Sequence, residues 1–246
     1  KTTVLQGGED PFYTDEKMVE IIKAIKKEFP NNALTLSIGE RSYESYKKLY
    51  EAGADRFLLR HESATRSLYE SIHNTESFEE RRRCLRDLKE IGFQAGAGFM
   101  VGLPNQTNED LVNDLRYVKE LEPAMCGIGP FIPHKDTPLR DCTAGTTEKT
   151  IILLAITRLL LPKVLLPATT ALASIDSNGR NEGLRAGANV IMPNLSPMAV
   201  RKKYALYNNK AFILDEDAEY RKEIEEKLRQ SGFELVVARG DNPDFE

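Results

Sequence analysis

Short apolar segments alternate with longer amphipathic segments along most of the chain. In the longer segments apolar residues recur at helical spacing, as Met18, Ile21, Ile22 and Ile25 do within residues 15–29. The short segments are apolar and end in glycine, proline or acidic residues. The pattern predicts strands over residues 2–8, 33–40, 56–62, 94–102, 125–133, 165–175 and 188–194. It predicts helices over residues 15–29, 42–54, 77–92, 107–121, 146–161 and 181–187.

Strict β–α alternation predicts an α/β fold with a parallel sheet, and so many consecutive units favour a (β/α) TIM-type barrel over an open, doubly wound sheet. A full barrel has eight strands in about 250 residues, so this chain has the length of a barrel but is one strand short. We expect the first strand to be missing, through truncation, a divided gene or a genuine absence. Residues 1–208 are predicted to hold strands 2–8 of the barrel. Residues 209–246 are predicted to form a C-terminal extension with a charged helix and a strand-like segment at 233–239.

Composition narrows the class of protein. The 246 residues are 41% hydrophobic and 29% charged, with a net charge of −4, which is typical of an ordinary globular protein and gives no basic signal for nucleic acid. No apolar run approaches the roughly 20 residues that a membrane span needs. The three cysteines, Cys84, Cys126 and Cys142, are odd in number and far apart. They predict a reducing, cytoplasmic setting and exclude a short metal-binding cysteine motif.

Polar residues concentrate where the predicted strands end, which is where barrels carry their active sites. On the third strand Arg56, Arg60 and Glu62 share one face with Leu58, because side chains alternate along a strand. Two arginines and a glutamate on a buried face would be costly without partners, so they should bind each other or an anionic ligand. The alternative is that this face points outward as a solvated ion pair.

Two other strand ends could bind a ligand. Gly7 and Gly8 let the backbone approach a ligand closely, and Glu9 could accept a hydrogen bond from an ammonium group. Thr169 and Thr170 offer two adjacent hydroxyls that suit a carboxylate. The alternatives are an ordinary tight turn for the glycines and simple β propensity for the threonines.

Several segments together resemble one known family. The segments are "VLQGGEDP", "LTLSIGE", "AGADRFLLRHE", "GAGFMVGLPNQT", "GIGPFIPHKDTPL", "PATTA" and "GANVIMPN". They resemble radical S-adenosylmethionine (SAM) enzymes and, in detail, the HydE family of FeFe-hydrogenase maturases, over about residues 2–207. "GIGPFIPHKDTPL" and "PATTA" are the most specific segments. "QGGE" and "GLPNQT" recur more widely, including in relatives of biotin synthase and methylornithine synthase.

The resemblance implies a chemistry and its cofactors. A 4Fe-4S cluster would reduce SAM and release a 5'-deoxyadenosyl radical, which would act on a substrate used to assemble the di-iron subcluster of the hydrogenase. The substrate would be a small molecule or an iron complex, and other hydrogenase maturases would be partners, with no nucleic acid and no membrane involved.

The resemblance also implies site residues. The positions matching SAM contacts are Gln6, Gly7, Gly8, Glu9, Thr35, Ser37, Glu62 and Arg81. The positions matching substrate or anion contacts are Arg56, Arg60, Thr169, Thr170, Tyr204 and Tyr207. A carboxylate at Glu62 suits ribose hydroxyls or the ammonium group of SAM, and a guanidinium at Arg81 suits its carboxylate. Arg56, lower on its strand, would hold a second anion.

The family's CxxxCxxC cluster motif does not occur in this chain. Without three such thiolates the chain as given cannot hold the cluster in the family's way and is expected to be inactive. We expect the motif upstream of Lys1, and no metal ligand within the chain.

Three other interpretations remain open. The chain could belong to another barrel-shaped radical SAM enzyme, such as a methylornithine synthase or biotin synthase relative. It could be a cluster-free scaffold that binds an anion or metal complex. It could also be an unrelated barrel such as an aldolase-like lyase, although no predicted strand offers the terminal lysine that a Schiff base needs.

Overall fold

Five parallel strands form a curled sheet, a partial barrel, in the computed structural model, which describes residues 1–192 and 218–245. Neighbouring strands pair in chain order, as strict β–α alternation predicts. The strands are β1 (Thr2–Gln6), β2 (Ala33–Ser37), β3 (Arg56–Leu58), β4 (Gln94–Val101) and β5 (Met125–Pro130).

The predicted sixth and seventh strands meet this sheet through single parallel bridges. Leu165 bridges to Met125 on β5, and Pro167 bridges to Val190. The prediction of a strand through residue 175 is wrong, because the chain turns into a helix after Thr169. The Thr169 hydroxyl accepts a hydrogen bond from Leu172 N at 3.3 Å, which caps that helix.

Helices connect the strands and cover one face of the sheet. Most of them begin at a serine or threonine whose hydroxyl accepts a backbone N–H of the first turn. The helices are α1 (Asp15–Glu28), α2 (Tyr43–Glu51), α3 (Arg66–Ile72), α4 (Phe78–Ile91), α5 (Asn108–Leu121), α6 (Thr147–Leu160), α7 (Thr170–Ile175), α8 (Gly179–Arg185) and α9 (Ala218–Gln230). The pattern of apolar residues did not predict α3, which is too short to show a clear period.

The core lies between the sheet and its helices. Phe57 of β3 and the following Leu59 are buried against apolar residues of α1, α2 and α4. A second cluster joins β4 and β5 to α5 and α6. Because side chains alternate along β3, Arg56 and Arg60 lie on the opposite, inner side of the sheet.

The C-terminal residues close the amino ends of the strands. Helix α9 packs Ile224 and Leu228 beside Leu184 of α8. Beyond it, Arg239 O accepts from the Thr2 hydroxyl at 2.8 Å. The segment at 233–239, predicted to be strand-like, forms no strand, and its last residue, Arg239, lies at the amino ends of β1 and β3. The predicted boundary at residue 208 lies outside the described residues.

None of the helices described is both long enough and apolar enough to cross a bilayer.

Candidate functional site

The turn after β1 lies open at the carboxyl edge of the sheet. It follows Gln6, the last residue of β1, which pairs with Ser37 of β2. Gly7 N donates to Ser37 O at 3.0 Å and extends that pairing by one residue. A Cβ on Gly7 or on Gly8 would have no atom within 4 Å. The backbone of this turn is therefore accessible to a ligand, with no side chain covering it.

Glu9 directs its carboxylate to the neighbouring strand end. Its Oε1 accepts from Glu40 N at 2.7 Å. Its side chain also fills the space above Gly39, where a Cβ would lie 2.0 Å from Glu9 Cγ, and Gly39 has a φ of 84°. Glycine at residue 39 therefore allows the turns after β1 and β2 to meet. A shallow groove of about 310 Å³ lies beside them, with Glu9 and Glu40 in its lining.

Arg60 and Glu62 face each other just beyond β3. Arg60 Nη2 lies 3.1 Å from Glu62 Oε2, and neither atom makes a hydrogen bond within the described residues although both are buried. Glu62 has a φ of 61°, a left-handed conformation that costs about 1–2 kcal/mol for a residue with a Cβ. Its N–H donates to Gly98 O at 3.0 Å, and its carbonyl accepts from Met100 N at 3.3 Å. The backbone at Glu62 is thus held by β4. The Arg60 and Glu62 side chains can still form hydrogen bonds with a ligand.

Arg81 of α4 is a buried cation that the chain already neutralises. Its Nε lies 2.8 Å from Glu40 Oε1 and donates to the Tyr69 hydroxyl at 3.3 Å, and its Nη2 contacts Glu76. Burial alone would lower the pKa of Arg81, but Tyr69 and the two carboxylates outweigh burial and raise it. Burial also raises the pKa of Glu40. A ligand carboxylate would therefore share Arg81 with Glu40 or replace Glu76.

The two pairs of hydroxyl residues occupy different positions. Thr35 is buried within β2, while Ser37 is partly exposed at its end, beside the turn after β1. Thr169 caps α7, and a Cβ on Gly129 of β5 would lie 3.0 Å from Thr169 Oγ1. Thr170 begins that helix. These threonines thus lie next to β5, several strands along the edge from the turn after β1.

Arg56 lies at the other end of the sheet, and its predicted role as a site for a second anion needs correction. Its guanidinium Nη2 lies 2.7 Å from Asp241 Oδ1 and donates to Arg239 O at 2.9 Å. Arg56 is only 3% exposed. The anion that it binds is a carboxylate of the same chain, because Arg56 begins β3 and so lies at the amino edge, where the C-terminal residues pack. Tyr204 and Tyr207 lie outside the described residues.

Two carboxylates that the sequence pattern does not single out lie beside predicted site residues. Glu76 contacts Arg81, and Asp114 of α5 contacts His61, the neighbour of Glu62. The sequence contains a signal for Asp114, because this acidic residue falls on the helix face that carries Leu111 and other apolar residues. The sequence contains no such signal for Glu76, because Glu76 lies in a loop without a regular pattern of apolar residues.

The three cysteines do not form a metal site. Cys84 and Cys126 are buried, Cys142 is partly buried, and all three are free. Within residues 1–192 and 218–245, no three His, Cys, Asp or Glu side chains come together as metal ligands would. The described residues therefore do not supply the set of neighbouring thiolates that a 4Fe-4S cluster needs.

This fold and its strand-end turns are similar to those of known proteins. The model of the radical SAM superfamily matches residues 1–118. A solved structure of methylornithine synthase (PylB) superposes with a TM-score of 0.81 at 24% identity, covering 96% of this chain and 68% of that one. At that identity the superposition shows the fold alone. Residues 1–118, which carry the turns after β1, β2 and β3, are therefore similar to radical SAM proteins, and the partial barrel agrees with that similarity.

The chain is also similar to the [FeFe] hydrogenase maturase subunit HydE of Thermotoga maritima. The two are 51% identical over 217 residues, which cover 88% of this chain and 62% of the relative. A 3-methylornithine synthase of Methanosarcina acetivorans is 31% identical over 232 residues, which cover 94% of this chain and 64% of that protein. The chain thus spans less than two thirds of the length of either relative.

Proposed function

We propose that this chain is the SAM-binding barrel of a hydrogenase maturase of the HydE type. The observation that carries the SAM assignment is the Arg60–Glu62 ion pair at the carboxyl edge, whose facing atoms are buried and make no hydrogen bond to any other group among the described residues. The hydrogenase assignment rests on the 51% identity to HydE.

The proposed SAM contacts lie along the turns after β1, β2 and β3. The open backbone of Gly7 and Gly8 would receive the amino-acid end of SAM, and Glu62 would accept from its ammonium group or ribose hydroxyls. Arg81 would contribute a guanidinium for the carboxylate. The remaining proposed contacts are Gln6, Glu9, Thr35 and Ser37.

The proposed substrate site lies on the other side of the same edge. Arg60 offers cationic N–H groups, and Thr169 and Thr170 are positioned where β5 and the start of α7 meet. These groups suit an anionic substrate. Tyr204 and Tyr207 remain part of this proposal by resemblance. The substrate would be a small molecule or an iron complex, with other maturases as partners.

Bound at this site, SAM would supply radical chemistry for the substrate after its reductive cleavage. A 4Fe-4S cluster would donate the electron, and its ligands would not be Cys84, Cys126 or Cys142, which are dispersed. The residues described here bind and orient SAM and substrate.

Two anaerobic measurements on the full-length protein test the proposal. Calorimetry measures SAM binding, and a maturation assay follows hydrogenase activation in an extract that lacks only this protein. We expect saturable SAM binding and restored activation by the wild type, and loss of both in Arg81→Ala. Arg140→Ala is the control, because Arg140 is an exposed arginine paired with its neighbour Asp141. Failure of the wild type to bind SAM would refute the proposal.

A second candidate is a 3-methylornithine synthase, since such a relative is 31% identical and covers more of the chain than HydE does. Formation of 3-methylornithine without hydrogenase activation would favour this candidate. A cluster-free scaffold makes a third outcome, in which the full-length protein binds an anionic complex but forms no 5'-deoxyadenosine from SAM.

A further inference from the structure

Asp114 is a buried carboxylate that the proposed SAM site does not include. It lies on α5 at 0% exposure, between the apolar residues Leu111, Leu115 and Val118 of the same helix face. Burial raises the pKa of Asp114, and its contacts to His61 act against that rise. A carboxylate in such a position is costly unless it is paired, so its partners indicate its role.

Both contacts of Asp114 go to one bend of the chain. Its Oδ1 accepts from Ala64 N at 2.5 Å and lies 3.3 Å from His61 Nε2. His61 Nδ1 accepts from Gly98 N at 3.3 Å, which leaves Nε2 as the ring nitrogen beside the carboxylate. These contacts anchor the chain one residue before and two residues after Glu62.

Glu62 needs such anchors because its backbone is left-handed, with a φ of 61°. A strained residue keeps its conformation only when the surrounding structure determines it from several sides. The strand β4 holds the Glu62 backbone from one side, through Gly98 and Met100. Asp114 reaches the same bend from helix α5, on the other side.

We propose that Asp114 is a positioning residue that acts through His61 and Ala64 to hold the Glu62 carboxylate in the orientation that binds SAM. The inference rests on the proposed function, because it assigns a supporting residue to the same site. Asp114 itself is packed among the side chains of α5 and does not touch the ligand.

The test compares SAM dissociation constants of full-length variants by calorimetry, at a temperature where each is folded by circular dichroism. Asp114→Ala removes both contacts and should weaken SAM binding about tenfold or more. Asp114→Asn keeps an oxygen that accepts from Ala64 N, and should lose about threefold or less. The matched control is Asp241→Ala, which removes a mostly buried carboxylate from the opposite end of the sheet and should leave SAM affinity within about twofold.

Two results would overturn this inference. One is wild-type affinity in folded Asp114→Ala, and the other is an equal loss in Asp241→Ala, which would show general destabilisation. Should Asp114→Ala not fold, His61→Phe replaces it, because the new ring keeps the contacts to Phe99 and Tyr117 but loses both nitrogen contacts. Unchanged affinity there would likewise overturn it. A wild type that does not bind SAM would instead refute the proposed function.

Discussion

The ion pair that closes the amino end of the sheet gives a sharp prediction about stability. Asp241 accepts hydrogen bonds from Arg56 at 2.7 Å and from Gln94 at 2.7 Å, and it also pairs with Arg239 at 2.5 Å. The Arg56 side chain is 4% exposed and that of Asp241 is 14% exposed. The substitution Asp241→Ala would leave the Arg56 guanidinium buried without its carboxylate.

The expected cost follows from that burial. Removing one partner of a buried ion pair costs about 3–5 kcal/mol. The lower figure applies here, because Arg56 keeps its hydrogen bonds to Arg239 O and to the Thr2 hydroxyl. A loss of about 3 kcal/mol lowers the melting temperature by about 6–12 °C in a chain of this length.

A neighbouring ion pair supplies the control. Asp244 contacts Lys163, and these side chains are 58% and 61% exposed. Asp244→Ala should therefore cost about 1 kcal/mol or less. Thermal and urea unfolding, followed by circular dichroism, measure both variants. Equal and small decreases in the melting temperature of the two variants would refute the argument that burial makes the Arg56–Asp241 pair more stabilising than an exposed pair.

The same pair predicts a pH dependence. Burial alone would raise the pKa of Asp241, but hydrogen bonds from Arg56, Gln94 and Arg239 outweigh it and hold this pKa below its ordinary value of 3.8. The carboxylate therefore adds stability that is complete above that value and is lost as the pH falls through the folded-state pKa. The difference in unfolding free energy between wild type and Asp241→Ala should be constant near neutral pH and shrink in acid. A difference that grows in acid would contradict this sign.

Three further predictions concern the site and the sheet. Glu62→Ala and Arg81→Ala should each weaken SAM binding in the full-length protein about tenfold or more, and unchanged calorimetric affinity in both would remove those two roles. The double variant Thr169→Val with Thr170→Val should impair substrate turnover but spare SAM affinity. It should also lower the free energy of unfolding by about 1 kcal/mol, because the cap of α7 is lost. Normal turnover would contradict the proposed substrate contacts. Gly98→Ala should prevent folding or lower the melting temperature strongly, because a Cβ there would lie 2.1 Å from a backbone oxygen of β5. A cooperative transition at the wild-type temperature would show that the strands can separate.

The periodicity of the sequence predicted the parallel β–α order, which is confirmed. The family resemblance came from the strand-end motifs instead, and the 51% identity to HydE over 88% of the chain supports it. The same periodicity predicted secondary structure less accurately near the ends of strands. Residues 165–175 have the composition of a strand, but one hydrogen bond from Leu172 N to the Thr169 hydroxyl starts α7 instead. Composition cannot settle such a choice, because threonine favours both strands and helix caps.

The candidate site was predictable in its location and less so in its pairings. The carboxyl ends of parallel strands lie at one edge of a sheet, so the sequence predicts that the turns after β1, β2 and β3 are neighbours. It could not show that Arg81 is already shared between Glu40 and Glu76, since Glu76 lies in a loop without a pattern. The roles assigned to the site residues remain predictions.

The sequence by itself determined the order of the five strands and of the longer helices between them, and which edge of the sheet carries the polar turns, because both follow from local periodicity and chain direction. Only the tertiary structure decided which carboxylate each buried charge meets. Arg56 pairs with Asp241, 185 residues further along, and Asp114 reaches back 50 residues to Ala64. Such pairings depend on where the folded chain brings distant segments together. The pairing of Arg56 also explains why Arg56 is no site for a second anion: its guanidinium lies at the amino edge, buried against a carboxylate of its own chain.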